Sequence, residues 1–66
     1  MAFPSQATTP SEARNEIVQI CLDQAYASEQ RIGKHPTELG NMGEVVRATV
    51  LIDLAELLMA AVYPNG

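Results

Sequence analysis

The 66-residue sequence is poor in the residues that small proteins use to hold themselves together. It has one cysteine (Cys21), one histidine (His35) and no tryptophan. A lone cysteine cannot close an intrachain disulfide. One cysteine and one histidine cannot supply the four protein ligands of a structural zinc site, so neither metal nor cofactor is expected. Basic residues are scarce as well: Arg14, Arg31, Lys34 and Arg47 stand against eight acids, a formal net charge of −4 with a pI near 4.6. That balance argues against nucleic acid, whose phosphates call for a basic footprint, and against an anionic membrane surface. No basic segment followed by an apolar run opens the sequence, so no signal peptide is read. The longest apolar stretch, 45–62, contains Arg47, Asp53 and Glu56. Each would cost roughly 2.5–3.5 kcal/mol at bilayer depth. The expectation is a soluble protein of the reducing cytoplasm.

What the sequence does have is apolar surface. Hydrophobic residues make up 47% of a chain whose length allows one domain. A protein of this size buries only about 60% of the surface its unfolded form exposes. Small domains usually compensate with disulfides, metals or oligomerisation. With the first two excluded, oligomerisation or very close helix packing is left.

Residues 1–9 (MAFPSQATT) are small and polar without periodicity and read as an N-terminal tail, with Phe3 as a candidate anchor. A helical hairpin domain is expected over 10–63, followed by a short C-terminal tail at 64–66. Thr9, Pro10 and Glu12 form a capping-box pattern: Thr9 as N-cap, Pro10 at N1, Glu12 at N3 reaching back to the cap amide. The first helix should run to about Ile32, where Gly33 offers a left-handed cap. Residues 33–41 (GKHPTELGN) read as a turn, with 36–39 forming at most one extra helical turn broken at Gly40. Asn41 followed by Glu44 looks like a second cap, so helix 2 is placed from Met42 to about Val62. Residues 45–52 alone are rich in β-branched side chains. The Leu-, Ala-, Glu- and Met-rich continuation to Ala61 decides for helix.

At 100° per residue, helix 1 gathers Glu12, Asn15, Glu16, Gln19, Asp23 and Gln30 on one face. Ala13, Ile17, Val18, Ile20, Cys21, Leu22, Ala25 and Ile32 span an apolar arc of roughly 200°. Helix 2 is apolar in nearly every direction, with Thr49, Asp53 and Glu56 as a narrow polar strip. A helix apolar nearly all round must be buried nearly all round, and one antiparallel neighbour cannot do that. The predicted fold is therefore all-α: an antiparallel two-helix hairpin that dimerises into a four-helix bundle. Val50, Leu51, Leu54, Leu57, Leu58 and Met59 are the candidate oligomer interface. Tyr26, Leu39 and Tyr63 are candidates for contact with another protein.

Arg31, Lys34 and His35, with Asn41, Gly43 and the amides of 40–43, form a candidate site for a small anion such as a nucleotide. The glycine spacing is not that of a P-loop. Cys21 lies on the apolar arc far from His35 and reads as a core residue. Asp53 and Glu56 read as the solvent-facing strip of helix 2, since helix-bundle di-metal sites need a Glu-x-x-His spacing that is absent. No acid–base or nucleophilic constellation emerges, so an enzyme is not expected. In scale the chain is like many small regulatory or inhibitory proteins, phage-encoded ones included. The leading expectation is a homo-oligomeric interaction protein that binds and modulates another protein; the alternative is a sequestering protein for an anionic ligand held between protomers.

Overall fold

The computed structural model describes residues 7–62, so Phe3, Tyr63 and the expected tail at 64–66 lie outside the described residues. Two α-helices, α1 (Pro10–Arg31) and α2 (Glu38–Ala60), pack against each other, and no strand occurs among the described residues. No helix there is long and apolar enough to cross a membrane.

The start of α1 follows its sequence signals. Thr9 is extended, its hydroxyl accepts from the Glu12 amide at 3.2 Å, and Pro10 opens the first turn. Glu12 turns back onto the hydroxyls of Thr8 (2.8 Å) and Thr9 (3.1 Å). At the other end Gly33 adopts φ +84°, the left-handed conformation that glycine enters without steric cost.

The start of α2 differs from expectation by four residues. Thr37 is the N-cap: it is extended, and its hydroxyl accepts from the Gly40 amide at 3.1 Å. The turn at 38–40 is thus the first turn of α2 itself, and Gly40 does not break it. Asn41 lies inside the helix. Its side-chain oxygen accepts instead from the loop amides of Gly33 (2.9 Å) and His35 (3.0 Å). Thr37 and Asn41 are both good capping residues. Thr37 wins because it leaves the Asn41 amide group to satisfy two loop donors that would otherwise lack a protein partner of this kind. At the far end, Ala61 caps α2, and the Arg14 guanidinium donates to the Ala61 carbonyl at 2.9 Å. This places a cation at the negative end of the α2 dipole.

The two helices meet along small side chains. The buried residues of α1 are Val18, Cys21, Ala25 and Ser28; those of α2 are Glu44, Ala48 and Ala55. Leu51 and Leu58 pack onto the cluster of Val18, Cys21 and Ala55. The positions 18, 21, 25, 28 and 44, 48, 51, 55, 58 alternate steps of three and four, the spacing of a seam between two helices packed nearly along each other. Alanine, serine and cysteine at such a seam let the backbones approach closely. Two outcomes follow. Replacing Ala48 with leucine forces volume into a place with no room and is expected to lower stability by about 1–3 kcal/mol, measured by urea unfolding at fixed protein concentration. Thr37→Ala is expected to cost about 1 kcal/mol in the same assay, which identifies the true cap of α2.

Candidate functional site

Two features stand out above the scaffold: a polar cluster where the loop closes the hairpin, and the apolar flanks on either side of the seam.

The polar cluster is centred on Glu44. This carboxylate is only 8% exposed, at the loop end of the seam. Arg31 Nε donates to its Oε2 at 2.7 Å, and the His35 ring nitrogen Nε2 sits 2.8 Å from the same oxygen. The Arg31 guanidinium also donates to Ser28 Oγ at 3.3 Å, and Ser28 is fully buried. Gly40 makes the arrangement possible: a β-carbon there would lie 2.9 Å from Cβ and Cγ of His35. The imidazole thus rests on bare helix backbone one turn before Glu44. Hydrogen bonds first from Arg31 and then from His35 hold the Glu44 carboxyl at about 2, well below its ordinary value of 4.5.

This geometry distributes the candidate anion-binding residues differently from the expected pocket. Arg31 and His35 do converge, but on the protein's own carboxylate. Asn41 is engaged with the loop amides. Gly43 lies more than one turn inside α2, the Gly40 amide donates to the Thr37 hydroxyl, and the Asn41 amide donates to the Thr37 carbonyl. Lys34 is exposed outside the cluster. What the arrangement can do chemically is lock the loop end, with an internal carboxylate occupying the place of an anion.

The apolar candidates separate into two groups. Leu51 and Leu58 belong to the intrachain seam. Val50, Leu54, Leu57 and Met59 are exposed, Leu57 to 70%. Tyr26 and Leu39 are exposed as well, while Tyr63 lies outside the described residues. Ile17, Ile20 and Leu22, which the wheel places on the broad apolar arc of helix 1, are exposed to about two fifths each. They are displaced because the smaller residues Val18, Cys21, Ala25 and Ser28 occupy the line of contact. A stripe of small residues at steps of three and four is the signal in the sequence that identifies this seam.

Cys21 is buried, as a core residue should be. Asp53 and Glu56 line, with Leu57 and Ala60, a shallow depression of about 470 Å³ along α2. Arg47 reaches across to Gln24 at 3.5 Å. Compared with protein-family models, curated proteins and solved structures, the chain has no significant match in any of the three.

The Glu44 cluster predicts an acid-sensitive hairpin. Above about pH 4.5 the carboxyl is ionised in folded and unfolded chains alike and its full contribution is present. As the pH falls from there toward about 2, the unfolded chain takes up the proton first, and the contribution is lost. Glu12, lowered by the Thr8 and Thr9 hydroxyls, acts in the same direction. The stability difference between wild type and Glu44→Gln isolates Glu44. It should be largest near neutral pH and narrow steadily below pH 4.5 in urea titrations.

Proposed function

We propose that this chain is a non-enzymatic, self-associating helical hairpin that works by binding and modulating another protein. The supporting observation is that most of its large apolar side chains lie outside its own seam. Ile17, Ile20, Leu22, Val45, Val46, Val50, Leu54, Leu57 and Met59 are all exposed, while small side chains join the helices. Contiguous apolar surface beyond a few hundred Å² on a small protein marks a place where another chain sits.

Advancing 100° per residue from the seam, the hairpin has two flanks of different character. One carries Leu22 and Tyr26 of α1 beside Val45, Ile52 and Met59 of α2, interrupted by Glu29, Glu38 and Glu56. An apolar strip edged with acids suits a partner protein whose surface pairs apolar side chains with lysine or arginine, the charges setting orientation and encounter rate more than affinity. Tyr26, 65% exposed, is the natural anchor, since tyrosine is enriched among residues that dominate binding energy.

The test is affinity capture from an extract of the source cells, with the immobilised wild-type chain beside Tyr26→Ala and Lys34→Ala variants. A protein retained by wild type and by Lys34→Ala, lost with Tyr26→Ala, and then binding the purified chain in isolation is the expected result. Retention that ignores Tyr26, or no direct binding by the purified pair, overturns the partner role.

A further inference from the structure

The opposite flank has a different composition. Its register is set by Arg31 against Glu44, Gln24 against Arg47 and Arg14 against Ala61. That register brings Ile17 level with Leu54 and Leu57, and Ile20 level with Val50 and Leu54, with Val46 one turn further on. All six are exposed, Val50 to 57%. Stepping round each helix from the seam, this flank carries its acids, Glu16 and Asp53, at its outer rim beside Ile20 and Leu57. Nearer the seam its charged side chains are Arg31, bound to Glu44, and Arg47, which donates to Gln24.

We propose that this flank seats a second copy of the chain, face to face about a two-fold axis passing near Ile20 and Leu54, to give a four-helix dimer. The proposal rests on the self-association put forward above and names the surface that carries it. Three considerations favour a second copy over any other occupant. The six side chains offer on the order of 500 Å² of apolar surface per copy, so pairing two flanks reaches the roughly 1,000 Å² total that a specific interface needs. A two-fold interface must be complementary to itself, and a flank whose centre is apolar and whose acids, Glu16 and Asp53, stand at the rim can meet its own image without burying like charges. Arg47 lies seven residues from Leu54, about 10 Å along the helix. An axis near Leu54 therefore holds the two Arg47 groups about 20 Å apart, beyond the ~8 Å screening length at physiological ionic strength.

Light scattering and sedimentation over a wide concentration range, with helicity followed by circular dichroism, test the proposal. Wild type is expected to be dimeric. Leu54→Glu should raise the dimer dissociation constant by roughly 100-fold, whereas Ile52→Glu, on the other flank, should leave it within a few-fold. Should Leu54→Glu fail to fold, a cysteine pair decides the matter. In a Cys21→Ser background, mild oxidation should cross-link Leu54→Cys into a covalent dimer much faster than Ile52→Cys. A dimer that withstands Leu54→Glu and yields to Ile52→Glu, or cross-links faster through position 52, overturns this face but keeps self-association. A wild type that stays monomeric at every concentration overturns self-association itself.

Discussion

The seam between α1 and α2 is built from side chains too small to fill a core, and the rest of the hairpin answers to that constraint. Val18, Cys21, Ala25 and Ser28 face Ala48, Ala55 and the edges of Leu51 and Leu58. Small residues let two helix backbones draw together, so that dispersion contacts come from the main chain and β-carbons rather than from interdigitated leucines. The same choice limits how much apolar area the seam can remove from water. It also decides where the large residues go. On a helix with apolar groups in nearly every direction, whatever the seam does not take must face outward.

A shallow seam is also poor at fixing its own register, because one alanine fits against another about as well as its neighbour does. The polar ends supply what the middle lacks. At the loop end, Glu44 is held by Arg31 and His35, with Ser28 buried beside them. At the other end, Arg14 reaches the Ala61 carbonyl. Sliding α2 by one residue would turn Glu44 about 100° away from Arg31 and His35 and deprive a buried carboxylate of its partners, a costly state. Such groups contribute more to choosing one alignment than to net stability. Gly40 and Asn41 serve the same end: the first admits the His35 ring, and the second holds the amides of Gly33 and His35.

Much of this was legible in the sequence, and the rest was hidden for identifiable reasons. The helical class, the Thr9 cap, the Gly33 turn and the burial of Cys21 followed from local patterns, because caps and glycine turns act over a few residues. The start of α2 did not. Thr37 and Asn41 both have capping chemistry, and the choice between them depended on loop amides whose positions only the folded chain defines. Glu44 looked like a capping-box acid because its Arg31 and His35 partners come from across the hairpin. The wheel drew Ile17 and Ile20 into one apolar arc with Val18 and Cys21 and did not separate the residues that α2 covers from those it leaves open, because hydropathy weighs a large residue above a small one. Packing ranked them the other way, since a close seam selects for size before hydrophobicity.

This inversion of size and position bears on how folding and association are connected. A hairpin whose seam buries mainly alanine, serine and cysteine gains little from closing alone, while ordering each residue costs roughly 1–2 kcal/mol of backbone entropy. Most of its larger apolar side chains sit on the flanks, outside the seam. Whatever covers a flank binds the closed hairpin and not the open chain, and therefore stabilises the fold by mass action. The polar lock at Glu44 fits that economy. It fixes the alignment of α1 and α2 without drawing on the apolar flanks, so that Ile17, Ile20, Val50 and Leu54 lie on the same side of the seam. If the flanks are covered as proposed, the intrachain contacts serve chiefly to arrange a surface that holds much of the chain's apolar area.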